Sequence, residues 1–182
     1  ISMCILDGFD ATTEERDAYI KLSRQMRGEE DGEGETPDFT GAIDEAKFAE
    51  MAEAEQFLLS LSRNGYGKRS STFEYRRSGR GGKGITAMAV NDRNGDLIGT
   101  FPVDEADEIM LVSNGGKLIR VPVGGIRIAG RATQGVTVFS TAENEDVVSV
   151  ERISDVGGDD AGDDLEEEAS AGTSDEPPAD DS

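Results

Sequence analysis

The stretches EQFLLSLSRNG at residues 55–65 and DEIMLVSNG at residues 107–115 follow one plan. Each has an acidic lead-in, then an apolar run, then an Asn-Gly pair (Asn64-Gly65 and Asn114-Gly115), a strong short-range signal for a tight hairpin turn. Gly67-Lys68 follows the first turn and Gly116-Lys117 the second. Downstream, GRGGKGI at 79–85 is matched by GRATQGV at 130–136. The offset is 50 residues from Asn64 to Asn114 and 51 from Gly79 to Gly130. A period of about 50 with about four short strands per unit is a signature of propeller blades. The repeat therefore predicts a mainly β fold of propeller-like blades, each of four antiparallel strands.

Working outward, Ile85–Val90, Asp96–Val103, Glu108–Ser113, Lys117–Val123, Val136–Thr141 and Asp146–Ile153 read as further strands. Residues 54–104 then form a penultimate blade and 105–153 a last blade. Ile1–Leu6 reads as the end of a strand of a preceding blade. Two units cannot close a ring, and the sequence opens on Ile1 rather than Met, so further blades are expected upstream. Residues 7–53 read as a short helical and acidic insertion. Thr12 or Thr13 caps a first helix that carries Tyr19, Ile20, Leu22 and Met26 on an apolar face and runs to about Arg27. A second helix spans Ile43 to about Glu53, with Phe48, Met51 and Ala52 on one side. The acidic, Gly-rich stretch from Gly28 to Gly41 reads as a flexible loop. Residues 154–182 contain almost no large apolar side chains and read as a disordered acidic tail.

The net charge of −21 is unevenly placed. Residues 1–62 hold 5 basic and 16 acidic side chains, residues 63–140 hold 12 and 7, and residues 141–182 hold 1 and 16. A basic middle thus lies between two acidic flanks. From Arg63 to Gly84, Arg63, Lys68, Arg69, Arg76, Arg77, Arg80 and Lys83 face Glu74 alone. Such a local field attracts polyanions whatever the overall charge. The tail, acidic and without a basic residue from Asp155 on, is positioned in sequence to compete for the basic surface.

Several chemistries are excluded for these residues. There is no histidine, which removes imidazole bases and His metal sites. Cys4 is the single cysteine, so neither an intrachain disulfide nor a cysteine zinc site forms, and the lone thiol fits a reducing compartment. No apolar run reaches the roughly 18 residues of a membrane span, so a cytoplasmic location without membrane contact is expected. Gly79, Gly81 and Gly84 satisfy G-x-G-x-x-G, but a strand-like segment follows where a dinucleotide fingerprint needs a helix. Asp92, Asn94 and Asp96 begin like a calcium loop, but the turn glycine and distal Glu are missing. Tyr66 and Tyr75 have no base or metal cluster to activate them. We therefore expect no catalytic residue, no metal site and no cofactor here. What remains is a basic loop repeated at blade spacing. A belt of such loops contacts phosphates without reading sequence and can hold a duplex in a curve. The expected phosphate contacts are Lys68, Arg69, Arg76, Arg77, Arg80, Lys83, Lys117, Arg120, Arg127 and Arg131.

The strings NGYGKR at 64–69, GRGGKG at 79–84, GRATQGV at 130–136 and TAENEDVV at 141–148 resemble the C-terminal domain of DNA gyrase A, over about residues 54–153 plus the acidic tail. The resemblance implies a β-pinwheel, a propeller relative of six blades that wraps double-stranded DNA. It implies as partners gyrase B and a second copy of gyrase A in an A2B2 assembly, with ATP and Mg2+ used by the holoenzyme through gyrase B and negative supercoils as product. Arg80-Gly81-Gly82-Lys83-Gly84 is similar to part of the family's Q-R-R-G-G-K-G box, but Arg76-Arg77-Ser78 precede Gly79 here, so this copy is a degenerate one and the strict box is expected upstream. The family's catalytic tyrosine lies in another domain. Two rival readings are the gyrase A counterpart in topoisomerase IV and a propeller-like protein-interaction module with no nucleic-acid role.

Overall fold

The computed structural model describes residues 3–28, 41–142 and 144–154. Most of the expected loop 28–41 and the acidic tail from residue 155 on lie outside the described residues.

The first helix, α1 (Thr13–Met26), starts where sequence places it. Thr12 Oγ1 accepts from Glu15 N at 3.2 Å while Glu15 Oε2 accepts from Thr12 N at 2.7 Å, a reciprocal cap that satisfies two otherwise orphaned amides. The second, α2 (Glu45–Glu53), is capped by Asp44, whose Oδ1 accepts from Lys47 N at 2.7 Å. Tyr19, Leu22, Ile43 and Met51 pack with Phe73 in a small core of their own. Tyr19 lies edge-on to Phe73 with centroids 5.2 Å apart, and Tyr19 OH donates to Glu55 Oε2 at 2.9 Å. The insertion is therefore docked onto the β region through Phe73. Burial of the Tyr19 phenol pushes its pKa up to about 12.

Seven strands form two antiparallel sheets: β1 (Phe57–Ser62), β2 (Tyr66–Ser71), β3 (Leu97–Val103), β4 (Glu108–Ser113), β5 (Leu118–Pro122), β6 (Val136–Thr137) and β7 (Val147–Ile153). The first sheet has the order β3-β1-β2-β6, the second β5-β4-β7. The repeat is visible in detail. Each central strand pairs with the next strand through a tight turn, each is followed by a 3-10 turn (Thr72–Glu74 and Val123–Gly125), and each carries a register shift just before its turn, at Leu61/Ser62 and Val112/Ser113. One apolar core spans both sheets and includes Leu59, Leu61, Val103, Ile109, Leu111, Val123, Ile126, Phe139 and Val147.

The two blades are not contiguous in sequence. β6 belongs to the second repeat but pairs with β2 of the first, Gly67 opposite Val136 and Tyr66 opposite Thr137. The counterpart of β6 in the first repeat, Ile85-Thr86, forms no strand, and Ile85–Val90 as a whole is irregular, contrary to its strand-like composition. A strand needs a neighbouring edge to satisfy its amides; β6 has β2, whereas Ile85-Thr86 has no such edge among the described residues. Met3–Leu6 likewise carry no strand.

Gly65 and Gly116 close equivalent turns, each amide donating back at 3.0 Å to Ser62 O and Ser113 O. Both are left-handed, with φ of 77° and 81°. At Gly65 a Cβ would sit 2.0 Å from Phe139 O, because the exchanged segment crosses the turn there; at Gly116 it would meet nothing. Gly65→Ala is therefore expected to cost about 3 kcal/mol or more, against about 1–2 kcal/mol for Gly116→Ala. Denaturant unfolding of the two variants checks this, and equal losses would contradict the crossing.

Candidate nucleic-acid interface

β2 ends in the 3-10 turn, and from Tyr75 the chain leaves the sheet in a loop whose Arg76, Arg77, Arg80 and Lys83 are all exposed. Gly81 and Gly84 adopt φ of 78° and 80°. Arg76, Arg80 and Lys83 form no hydrogen bond or ion pair with any described residue, and Arg77 reaches only the exposed Asp10, at 3.3 Å. The equivalent loop of the second repeat lies against the first. Arg131 Nη1 donates to Thr86 O at 2.6 Å, and Arg131 N donates to Glu74 Oε2 at 2.5 Å. Arg127 is exposed. A cleft of about 450 Å³ brings Arg76 and Arg131 together with Arg24, and a second of about 380 Å³ joins Arg24 to Arg127. Arg76, Arg131, Arg24 and Arg127 thus form one basic band.

Elsewhere in the β region Arg63 faces Asp96 at 3.4 Å, while Arg152 faces Asp104 at 3.1 Å and Asp107 at 2.7 Å. Within the band Arg24 is paired with Glu74 at 3.1 Å, whereas Arg76 and Arg127 are exposed and have no side-chain partner among the described residues, and such unpaired positive charge is suited to a polyanion.

Two of the ten expected phosphate contacts, Lys68 and Arg69, are corrected by burial. Lys68 has no exposed surface. Its ammonium donates to Gly130 O at 2.6 Å, to Arg131 O and to Thr133 Oγ1 at 3.3 Å, and burial pushes its pKa down to about 8. Arg69 is 6% exposed and donates from Nε to Ile126 O at 2.7 Å and from Nη2 to Gly124 O at 3.1 Å. Both side chains hold the exchanged segment in place and cannot also reach a phosphate. Lys117 and Arg120 are exposed but each faces a carboxylate, as Arg77 does. Lys117 Nζ lies 2.5 Å from Glu145 Oε2, at the hairpin-turn end of the strands, the end opposite the Tyr75 loop. Arg120 pairs with Glu108. Arg76, Arg80, Lys83 and Arg127 are exposed with no side-chain partner among the described residues.

Sequence reading missed Arg16, Lys21 and Arg24, which α1 presents to the 450 Å³ cleft. The i, i+8 spacing of Arg16 and Arg24 was the available signal. It also missed Arg93, whose Nε donates to Tyr66 OH at 3.1 Å. Asn94, part of the apparent calcium loop, is fully buried and donates from Nδ2 to Ala89 O at 2.7 Å and Gln134 O at 3.2 Å, so its role is to brace the turn. Among the described residues no group of three or more acidic or thiol side chains is placed to hold a metal, and no helix is long and apolar enough to cross a membrane.

Two sheets of a repeated blade with an exchanged strand, and a basic band at one end, define a β-propeller-type domain. The family described as the DNA gyrase C-terminal domain, beta-propeller, matches residues 56–104 and 107–154, and the chain belongs to that family. The DNA gyrase A protein of Rickettsia conorii is 42% identical over 170 residues, 92% of this chain and 19% of that protein. That of Rickettsia bellii is 45% identical over 157 residues, 85% and 17% of the two chains, and that of Granulibacter bethesdensis 41% over 186 residues, 94% and 20%. A solved DNA gyrase A C-terminal domain aligns with a TM-score of 0.50 at 32% identity, over 54% of this chain and 33% of that one. The chain thus spans about a fifth of the length of the curated relatives it matches.

The Lys117–Glu145 pair has a pH signature. Lys117, Ser113 Oγ at 2.6 Å and Ala142 N at 2.8 Å hold the Glu145 carboxyl down to about 2. A carboxylate with a lowered folded-state pKa stabilises the fold above its ordinary value of 4.5, and this contribution is lost as pH falls from there towards 2. Glu145→Gln is expected to flatten the acid limb of stability in that window. Unfolding midpoints measured from pH 6 to pH 2 check this, and parallel curves for the two proteins would refute it.

Proposed function

We propose that this chain is the end of the DNA-wrapping domain of a gyrase A protein. The observation that carries the reading is the set of basic side chains Arg76, Arg80, Lys83, Arg127 and Arg131, drawn from the equivalent loops of two successive repeats and, apart from Arg131, without compensating partners among the described residues. Phosphate contacts of this kind carry no sequence information, and their worth lies in number and spacing along a curve. Bending a site of 20–30 base pairs costs of order 1–6 kcal/mol, which several charge-neutralising contacts offset. In this reading the curved duplex is handed to a catalytic core assembled from two copies of gyrase A and two of gyrase B. The holoenzyme uses ATP and Mg2+ through gyrase B to introduce negative supercoils. The chain itself supplies no catalytic group, and the assembly works on the chromosome in the cytoplasm. Identities of 41–45% over 85–94% of the chain to DNA gyrase A proteins favour this over the topoisomerase IV reading. The uncompensated band favours it over a protein-interaction module.

The test is the salt dependence of duplex binding by the full-length protein. Each neutralised phosphate contributes about 0.9 to the slope of log affinity against log salt. Arg80→Ala with Lys83→Ala is expected to flatten the slope by about 2, equally on unrelated sequences. A slope indifferent to the loop pair would overturn the reading.

A further inference from the structure

The insertion is more than a spacer between strands. α1 packs against the 3-10 turn that leads into the basic loop and shares with Arg76 and Ile85 the cleft of about 450 Å³. The helix contributes Arg16, Lys21 and Arg24; the loops contribute Arg76 and Arg131. Against these five cations stand two carboxylates, Asp17 and Glu74. Glu74 is already fully engaged: Oε1 accepts from Arg24 Nη2 at 3.1 Å and Oε2 from Arg131 N at 2.5 Å. Lys21 and Arg76 are exposed and have no partner among the described residues. The cleft therefore keeps a positive excess after its internal pairing is complete.

We propose that α1 is an additional DNA-contacting arm, its cleft taking a backbone phosphodiester of the duplex that lies on the adjoining loop. This rests on the DNA-binding reading above and extends it to a segment outside the blades. Three features favour a phosphodiester of that duplex as the occupant. The cleft is lined by Arg76 and Ile85, at the two ends of the basic loop, so a strand lying on that loop passes it. Part of its wall is the half-buried side of Phe73 and Ile85, where poorer screening strengthens charge–charge attraction. And α1 is held before any ligand arrives, by the Thr12–Glu15 cap, the Tyr19–Phe73 packing and the Arg24–Glu74 pair, so little ordering entropy opposes binding.

Lys21→Ala in the full-length protein tests this, because Lys21 touches nothing whose loss would disturb the fold. The expected result is a salt slope for duplex binding flatter by about 0.9, the same on unrelated sequences, and restored by Lys21→Arg. The Arg80→Ala, Lys83→Ala pair is run beside it. If the loop pair flattens the slope and Lys21→Ala does not, the arm is refuted while the DNA-binding reading stands, and the cleft is left to an acidic protein segment. If neither variant moves the slope, both fall. If both flatten it and Lys21→Ala with Arg76→Ala costs less affinity than the two singles together, one phosphate is shared between helix and loop, as proposed.

Discussion

The fold depends on two buried cations. Lys68 and Arg69, adjacent on β2, project their side chains to the carbonyls of residues 124–131 in the following repeat. Backbone bonds run beside them: Arg69 N donates to Arg127 O at 2.9 Å and Ala129 N to Arg69 O at 2.8 Å. Burying a charge is costly unless donors and acceptors match. Here the matching acceptors lie about sixty residues away, so the charges are tolerated only when the second repeat crosses the first. That requirement fixes the position of β6, the direction of the segment behind it, and the place where Arg127 and Arg131 emerge.

From this clamp the functional surface follows. Because the second loop is pinned along β2, Arg131 reaches Thr86 and Glu74 of the first, and the two loops are neighbours. The strand exchange thus brings charges 50 residues apart in sequence onto one surface. The same Glu74 ties down α1, through Arg24, so a single carboxylate organises helix, loop and neighbouring repeat.

Much of this was legible in the sequence, for identifiable reasons. The Asn-Gly turns, the apolar runs before them and the 50-residue period are local patterns, and local patterns dictate hairpins. Thr12 with Glu15 is a local cap, and the helix begins there. The exchange was not legible, because Val136-Thr137 and Ile85-Thr86 look alike and differ only in whether an edge lies beside them. The fates of Lys68 and Arg69 were hidden for the same reason: a basic residue in a basic stretch reads as solvated until distant carbonyls are known to surround it. The ion pairs of Lys117 with Glu145 and of Arg120 with Glu108 were not legible either, because these groups face one another only after the strands have paired. The contribution of α1 was missed because its charges sit in an acidic segment, whose net charge conceals which side chains share a face.

The central claim is that the two successive loops act together as a single phosphate-binding band. Amide hydrogen exchange in the full-length protein, with and without duplex DNA at low salt, tests it most directly. The account predicts joint protection of residues 75–84 and 126–135 on adding DNA, with no change at the Asn64-Gly65 and Asn114-Gly115 turns at the other end of the strands. Protection confined to one loop, or centred on those turns, would contradict it.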